Sequence, residues 1–393
     1  MTLRILADEN IPALAHYLGH FGPVSAVSGR AIEPAQLAGV DVLLVRSVTR
    51  VDAALLDGSS VKFVGTATSG LDHIDRDYLS RRGVGFAYAS GSNANSVVEY
   101  VLSAISAVGD TLERLLEGGT VGIVGYGVIG RAMAARLQAL GVDHCACDPW
   151  LQQGSIPRPA PLEQVLACGV VTLHAELTRE QPWPSFHLLG EKELAAMPSD
   201  TLLVNASRGA VVDNRALLRL RENGLGPIPV LDVWEGEPAI DHALLKRVIL
   251  GTSHIAGYSL DGKLLATRML GEAVAAHFAL QAHPPPSPAG APGTIDVGRT
   301  LSGAGLLREL LRSRYDIQRD DARLRSVTLG KPAKEAAAGF DLLRRDYPQR
   351  RELSGSTVRG NCKHLRDREL VRGLGCEILG AEPGAADTGV GTG

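Results

Sequence analysis

Hydrophobic and polar positions alternate along the first 90 residues in blocks that predict strands and helices in turn. Short runs of Val, Leu and Ile, as in LRILAD, DVLLVRS and KFVGTA, predict strands buried on both faces of a parallel sheet. Short helices are predicted between them, near residues 11–20 and around Ala35. The alternation returns later in VVTLHA, TLLVNAS, PIPVLDV and VILGTSH, so the pattern predicts an α/β chain with parallel sheets.

Two longer helical patterns divide this series of strands. SVVEYVLSAISAVGDTLERLLE, at residues 96–117, has apolar spacings of three and four and predicts one long helix, and a second is predicted from about Asp261 to Leu280. We take these helices as crossovers between two domains, one formed by residues 1–95 with 258–280 and the other by residues 96–257, with hinges near 92–96 and 257–261.

The composition changes after the second long helix. Residues 281–293, QAHPPPSPAGAPG, are rich in proline and predict an extended linker. Residues 294–380 are richer in arginine, and their pattern of hydrophobic positions is mixed. The glycine-rich end, residues 381–393, predicts a disordered tail.

Composition and charge narrow the functional classes. The chain has 393 residues, of which 45% are hydrophobic and 21% charged, as in ordinary soluble proteins. A net charge of −3 gives no overall basic field for nucleic acid or anionic membranes. We expect a cytoplasmic protein, because no apolar run reaches the roughly 18 residues of a membrane helix and the start is a strand pattern rather than a signal peptide. Cys145 and Cys147 lack further ligands at suitable spacing, so no metal site is expected.

A glycine motif carries the first chemical prediction. Gly125, Gly127 and Gly130 match G-x-G-x-x-G, follow a predicted strand and open a predicted helix, and Asp148 ends the next strand. In a dinucleotide site the first glycine permits the tight turn, the second lets the pyrophosphate approach and the third lets helix and strand pack. An acid at the end of the second strand accepts hydrogen bonds from the ribose and repels a 2′-phosphate, which favours NAD over NADP.

Three further residues follow predicted strands in the same half of the chain. Arg208 ends LLVNAS, Glu237 lies in LDVWEGEP, and His254 lies in LGTSHIAGYS. Ligands bind outside the carboxyl ends of strands in open α/β sheets. The three suit a 2-hydroxy acid: Arg208 would hold its carboxylate, His254 would take the hydroxyl proton, and Glu237 would orient the imidazole. Taken singly, Arg208 also fits a partner in a structural ion pair, Glu237 a solvated loop acid, and His254 a core histidine.

The same residues carry a resemblance to a known family. The glycine loop, NASRGAVVD, LDVWEGEP and GTSHIAGYS resemble the D-isomer-specific 2-hydroxyacid dehydrogenases. A narrower match runs nearly end to end through ADENIP, VRSVTRVD, FVGTATSGLDHID, YDIQRDDARLR and GFDLLRRDYPQRRE. It implies NAD-dependent oxidation of 4-phospho-D-erythronate to 2-oxo-3-hydroxy-4-phosphobutanoate, an early step of pyridoxal phosphate (vitamin B6) biosynthesis.

The resemblance also implies an architecture and a set of site residues. It implies two doubly wound parallel-sheet domains, a flavodoxin-like substrate domain and a Rossmann NAD domain, and a C-terminal α+β dimerisation domain, hence a homodimer. It identifies Arg208, Glu237 and His254 as active-site residues and Ser47, Thr68 and Tyr258 as substrate contacts. The NAD contacts that it implies are Gly125, Gly127, Val128, Ile129, Gly130, Asp148, Ala175, Ala206, Ser207, Arg208, Asp232 and Gly257.

One short segment departs from the family pattern. Relatives usually have His-Thr-Pro-Leu after a strand, whereas this chain has His174, Ala175, Glu176 and Leu177. The missing threonine hydroxyl predicts a loss of about 0.5–1.5 kcal/mol in NAD binding. We take His174 as structural.

The sequence leaves two questions open. The alternative functions are oxidation of another 2-hydroxy acid such as 3-phosphoglycerate, and NAD sensing by a protein without catalytic activity. The residues that bind the distal phosphate are also open, and the candidates are Arg46, Arg50, Arg344, Arg345, Arg350 and Arg351.

Overall fold

The first sheet is parallel and five-stranded. The computed structural model describes residues 2–281, 285–298, 301–360 and 364–379. The strands are β1 (Ile5–Asp8), β2 (Val24–Val27), β3 (Val42–Val45), β4 (Phe63–Thr66) and β5 (Gly85–Tyr88), and the helices are α1 (Leu14–Leu18), α2 (Ala53–Leu56) and α3 (Arg76–Arg82). The strand order β2-β1-β3-β4-β5 is that of flavodoxin-like sheets. The helix predicted near residues 11–20 is α1, and the one around Ala35 is a 3-10 turn at Pro34–Leu37.

The second sheet has six parallel strands in the order β11-β10-β9-β8-β6-β7. Its strands are β6 (Thr120–Val124), β7 (Asp143–Cys147), β8 (Val170–Leu173), β9 (Leu202–Asn205), β10 (Ile228–Leu231) and β11 (Leu250–Gly251). The helices of this part are α4 (Ala94–Ala107), α5 (Thr111–Leu116), α6 (Val128–Leu140), α7 (Leu162–Leu166), α8 (Glu191–Ala196), α9 (Asn214–Glu222), α10 (His242–Arg247) and α11 (Leu260–His277). The strand β7 is added on one side of β6, and the strands from β8 onward are added on the other side. This reversal of strand order opens a crevice at the carboxyl ends of β6 and β8. The predicted doubly wound α/β class is therefore confirmed.

The long helix predicted over residues 96–117 is wrong as a single element. It is two helices, α4 and α5, separated at Val108–Asp110. Val108 is extended (φ −109°, ψ 106°) and Gly109 has a φ of 52°, a conformation that glycine adopts without steric cost. The apolar spacing continues through the break, so the periodicity did not reveal it.

The C-terminal region combines helices with a three-stranded sheet. Its elements are β12 (Thr294–Asp296), α12 (Gly303–Arg314), α13 (Ile317–Thr328), α14 (Ala333–Arg345), β13 (Thr357–Arg359), α15 (Leu365–Gly373) and β14 (Glu377–Ile378). The predicted mixture of helices and strands is confirmed, and the strands pair in parallel because helices connect them. Leu306 and Leu310 of α12 are buried in one apolar core with Tyr100 and Val101 of α4.

The domain boundaries given above remain predictions. The described residues of the 281–293 segment contain no helix or strand, and the tail predicted to be disordered lies outside the described residues. Within the described ranges, none of the helices combines the length and the apolar composition that crossing a bilayer requires.

Candidate active site

Glu237 and His254 form a hydrogen-bonded pair at the carboxyl ends of β10 and β11. His254 Nδ1 lies 2.8 Å from Glu237 Oε2, and Glu237 Oε1 accepts the backbone N–H of Trp234 at 2.7 Å. About a third of the His254 side chain (32%) is exposed, against 18% for Glu237. Within the described ranges Nε2 of this imidazole makes no hydrogen bond, while Nδ1 is held by a carboxylate.

The carboxyl of Glu237 is ionised more readily than an ordinary glutamate. Burial opposes this by raising the pKa, but the hydrogen bond and charge of His254 lower it, as do the Trp234 N–H and the charge of Arg344. The net result is a pKa of Glu237 below its usual value. A carboxylate in this state accepts the Nδ1–H of His254 and so fixes that tautomer.

The loop that carries His254 is held by Asp232, which follows β10. Its carboxylate accepts the Thr252 hydroxyl at 2.6 Å and the N–H groups of Ile255 and Ala256 at 2.8 and 2.9 Å, and its carbonyl accepts the His254 N–H at 2.7 Å. These bonds maintain the left-handed backbone of His254 (φ 58°), which costs a non-glycine residue about 1–3 kcal/mol. Asp232 is 1% exposed, so its side chain orders this loop, and its predicted contact with NAD remains a prediction.

Arg208 lies beyond β9, and its side chain reaches the other side of the crevice. Its Nη2 is 3.4 Å from Oδ2 of Asp72, in the loop that follows β4, and its Nη1 donates to the Ser207 carbonyl at 2.9 Å. A Cβ on Gly70 would collide with Nη2. The Asp72 side chain is 73% exposed, so this long ion pair is weak and a bidentate anion could replace it. Asp72 was not among the predicted site residues, although it lies within the motif FVGTATSGLDHID.

The three predicted substrate contacts lie on segments around the crevice. Ser47 is exposed just after β3. The Thr68 hydroxyl, after β4, donates to the Gly70 carbonyl at 2.9 Å and lies 2.8 Å from the Thr66 hydroxyl. Tyr258 follows His254 by four residues and packs edge-on against Tyr347 of the C-terminal region, with 5.8 Å between ring centroids.

The glycine loop has the geometry that its motif predicts. Gly125 has a φ of 90°, and a Cβ there would collide with the backbone of the His174–Ala175 peptide. A Cβ on Gly127 would meet nothing within 4 Å, so the space beside this backbone is open, whereas one on Gly130 would collide with the Gly125 carbonyl.

A carboxylate lies at the edge of the same loop. Oδ2 of Asp148 accepts the Tyr126 N–H at 2.9 Å, next to the first turn of α6, which begins at Val128 with Ile129 behind it. Open space at Gly127, a helix start that no side chain of the described residues caps, and an acid at the end of the second strand fit an NAD pyrophosphate and ribose.

The segment that departs from the family pattern adjoins this loop. Nε2 of His174 is 3.1 Å from the Thr172 hydroxyl. Burial lowers the pKa of the His174 imidazole to about 4. It is therefore neutral at pH 7, which supports a structural role. Ala175 is partly exposed beside Gly125 and offers no hydroxyl.

The remaining predicted cofactor residues lie along the crevice. Ala206 and Ser207 follow β9, and the Ser207 hydroxyl donates to Asn205 Oδ1 at 2.9 Å. Gly257 lies against Asn93, whose side-chain amide a Cβ would meet. The crevice thus brings together the glycine loop, the Glu237–His254 pair and Arg208.

A segment of the C-terminal region contacts both predicted hinges, which no pattern in the sequence indicated. Nε of Arg350 donates to the Tyr258 carbonyl and Nη2 to the Ala256 carbonyl, both at 3.0 Å, and Nη2 also donates to the Ser96 hydroxyl. Arg351 binds Asp261 at 2.9 Å. A run of arginines had only suggested surface charge or phosphate binding.

Glu352 and Glu99 continue these contacts. Glu352 accepts the side-chain amide of Asn95 at 2.7 Å and the Ser259 hydroxyl at 2.7 Å. Glu99, which is 4% exposed, accepts the Leu353 N–H at 2.8 Å. The C-terminal region therefore binds the start of α4 and the start of α11 together.

Comparisons with known proteins agree with this geometry. Residues 103–256 match the family model described as D-isomer specific 2-hydroxyacid dehydrogenase, NAD binding domain, and residues 288–375 match one described as a domain of unknown function. The chain is similar to the erythronate-4-phosphate dehydrogenase of Marinobacter nauticus, with 45% identity over 96% of this chain and 100% of the relative. The Azotobacter vinelandii enzyme of the same name is 44% identical over 95% and 100%.

A solved structure shows the same fold. D-Lactate dehydrogenase from Aquifex aeolicus, complexed with NAD and lactic acid, superimposes with a TM-score of 0.57 at 22% identity. The match covers 70% of this chain and 95% of that chain.

Proposed function

The chain belongs to the erythronate-4-phosphate dehydrogenases, a branch of the D-isomer-specific 2-hydroxyacid dehydrogenase family, and we propose that its crevice oxidises 4-phospho-D-erythronate with NAD. The product is 2-oxo-3-hydroxy-4-phosphobutanoate, an intermediate of vitamin B6 synthesis. Identity of 42–45% to relatives of that name over nearly the whole chain supports this assignment. The hydrogen-bonded Glu237–His254 pair is the observation that carries the chemistry.

When bound, NAD would accept the hydride that leaves C2 of the substrate, and so take the two electrons of the oxidation. Its pyrophosphate would lie on the glycine loop at Gly125, Gly127 and Gly130, with Val128 and Ile129 at the helix start, and its ribose would lie by Asp148. Along the crevice, the other cofactor contacts are Ala175, Ala206, Ser207, Arg208, Asp232 and Gly257.

His254 acts as the general base in this proposal. Its Nε2 accepts the proton of the C2 hydroxyl, while Nδ1–H stays bonded to Glu237. The charge that forms on the imidazole is stabilised by the adjacent carboxylate, which is ionised because its pKa is low. In the reverse direction the same imidazole returns the proton.

Arg208 binds the substrate carboxylate. A guanidinium offers two parallel N–H donors to a carboxylate, and here it exchanges the weak contact with Asp72 for that stronger pair. Ser47, Thr68 and Tyr258 contact the rest of the substrate. Movement about the hinges near 92–96 and 257–261 would exclude water from the closed site.

We further propose that the chain forms a homodimer through its C-terminal region, in the cytoplasm. Leu365 of α15 and Leu342 of α14 support an interface there, because they are 70% and 45% exposed. Light scattering on the purified chain tests this: a mass twice that of the 41.5 kDa monomer is expected, and a monomer would refute it.

A substrate panel with an Arg208 variant tests the function. We expect the wild-type enzyme to form NADH faster with 4-phospho-D-erythronate than with 3-phosphoglycerate or simple 2-hydroxy acids. Arg208→Ala should lose most turnover, about 100-fold or more, while NAD still binds. Turnover of 3-phosphoglycerate alone would favour the alternative substrate, and NAD binding without turnover of any substrate would favour an NAD sensor. Near-normal turnover by Arg208→Ala would refute the role of Arg208 in binding the substrate carboxylate.

A further inference from the structure

The loop that carries His254 and Tyr258 is held from two sides. On one side, the carboxylate of Asp232 accepts two backbone N–H groups of the loop, at 2.8 and 2.9 Å. On the other side, Arg350 of the C-terminal region donates from Nη2 to the Ala256 carbonyl and from Nε to the Tyr258 carbonyl, both at 3.0 Å. Backbone N–H groups of the loop thus bind one side chain, and backbone carbonyls of the loop bind another.

The guanidinium of Arg350 uses two different nitrogens for these two carbonyls. A guanidinium is planar and holds its N–H donors in a fixed fork, which in many proteins binds one carboxylate. Here the donors span two carbonyls that are two residues apart, so they fix one peptide group relative to the other. The backbone of Arg350 is itself fixed, because its carbonyl accepts the Leu260 N–H at 2.8 Å. A lysine ammonium is a single point charge and cannot reproduce this fork.

Arg350 is a buried charge, with 7% of the residue exposed. Its Cζ lies 4.2 Å from the centroid of the Tyr315 ring, and its Nη1 has no hydrogen-bond partner among the described residues. Burying a charged group with an unsatisfied donor costs free energy, and a well-packed apolar side chain avoids that cost. Stability alone therefore does not explain an arginine at this position, whereas the carbonyls that its other nitrogens hold lie in the loop of His254.

His254 depends on how its loop is held. Its φ of 58° is a left-handed conformation, which a non-glycine residue keeps only where the surrounding structure enforces it. In this conformation Nδ1 of His254 lies 2.8 Å from Oε2 of Glu237. The first carbonyl that Arg350 binds is only two residues further along the chain. Releasing it would let the imidazole move relative to Glu237, and a displacement of about 1 Å in an active site can lower a rate about 100-fold.

We propose that Arg350 is a positioning residue of the active site, which acts through the backbone carbonyls of Ala256 and Tyr258 to hold His254 against Glu237. The inference rests on the proposed function, because it takes His254 as the general base. Arg350 does not contact the substrate in this arrangement. The C-terminal region thereby contributes to catalysis within one chain, in addition to the proposed contact between subunits.

Arg325 provides a matched control, because it makes the same kind of contact elsewhere. It lies on α13 of the C-terminal region and donates to the carbonyls of Leu245 at 2.8 Å and Val248 at 3.0 Å. These carbonyls precede β11, whereas those held by Arg350 follow it. Arg325→Met therefore removes two hydrogen bonds to backbone carbonyls at the end of β11 that lies away from the crevice.

Steady-state kinetics with 4-phospho-D-erythronate, expressed per NAD-binding site, compare the two variants. We expect Arg350→Met to lower kcat and kcat/KM together by about 10- to 100-fold and to keep KM within about 3-fold, because Arg208 still binds the substrate carboxylate. Arg325→Met should keep kcat within about 2-fold, although both variants melt at a lower temperature than the wild type. Arg350→Lys keeps the charge without the fork, and its kcat should fall by about 3-fold or more even if Arg350→Met does not fold.

Hydrogen exchange of the loop N–H groups tests the inference without turnover. Exchange at residues 254–258 should become faster in the Arg350 variants and should stay unchanged in Arg325→Met. Unchanged exchange or unchanged kcat in the Arg350 variants would overturn the inference, as would an equal loss of kcat in Arg325→Met. A wild type that does not oxidise 4-phospho-D-erythronate would instead refute the proposed function, and hydrogen exchange would then still decide whether Arg350 holds the loop.

Discussion

Replacing Glu237 by glutamine tests the proposed role of the Glu237–His254 pair with almost no change of shape. The native carboxylate accepts two N–H groups, one from Trp234 at 2.7 Å and one from His254 at 2.8 Å. Glutamine has one oxygen and one NH₂ group, so one of these donors must face another donor. If the NH₂ group faces His254, it stabilises the tautomer with Nδ1 unprotonated, in which Nε2 carries the proton and cannot act as a base.

The size of the effect follows from the geometry. When His254 takes the substrate proton, its positive charge lies next to the Glu237 carboxylate, and two charges about 4 Å apart attract by about 4 kcal/mol at an effective dielectric constant of about 20. Because the two side chains are 32% and 18% exposed, solvent reduces this attraction to about 2–4 kcal/mol. We therefore expect Glu237→Gln to lower kcat by about 30- to 1000-fold.

Initial rates of NADH formation at saturating 4-phospho-D-erythronate measure this loss. Glu235→Gln is the matched control, because Glu235 lies in the same loop and its Oε1 is 2.7 Å from Nε2 of a different histidine, His187. The control should keep kcat within about 3-fold of the wild type. A Glu237→Gln enzyme with near-normal kcat, or an equal loss in both variants, would refute the role given to Glu237.

Three further predictions concern stability and cofactor binding. Burial raises the pKa of Glu99 to about 7 from 4.5, so the stability that this residue contributes is complete below pH 4.5 and is lost as the pH rises to about 7. Glu99→Gln should therefore remove about 3 kcal/mol of the change in unfolding free energy across that interval, and melting temperatures that follow the same pH profile in both proteins would contradict this. Ala175→Thr restores the hydroxyl expected of the family and should lower the Kd for NAD about 2- to 10-fold in a direct titration, whereas an unchanged Kd would count against that hydrogen bond. Arg351→Ala removes the ion pair with Asp261 and a 2.9 Å hydrogen bond to the Gly290 carbonyl, so the free energy of unfolding measured with denaturant should fall by about 1–3 kcal/mol. A variant as stable as the wild type would show that this contact does not stabilise the fold.

Local motifs made much of the crevice predictable. Gly125 needs a positive φ and Gly130 needs close packing, and both requirements act within a few residues of sequence. The positions of Arg208, Glu237 and His254 after strands were likewise predictable, because the carboxyl ends of parallel strands lie at one edge of a sheet. The break at Gly109 was not, because the apolar spacing on either side continues through it.

The amino-acid sequence by itself determined the α/β class, the glycine loop and the ends of strands at which the reactive side chains lie, because periodicity and turn chemistry are local properties. Only the tertiary structure decided which charges meet. It placed Asp72 against Arg208, and it placed Arg350 and Arg351 against the hinge segments. These partners are separated by 90 to 254 positions in the chain, and no local pattern encodes a contact whose geometry depends on how whole sheets and helices pack.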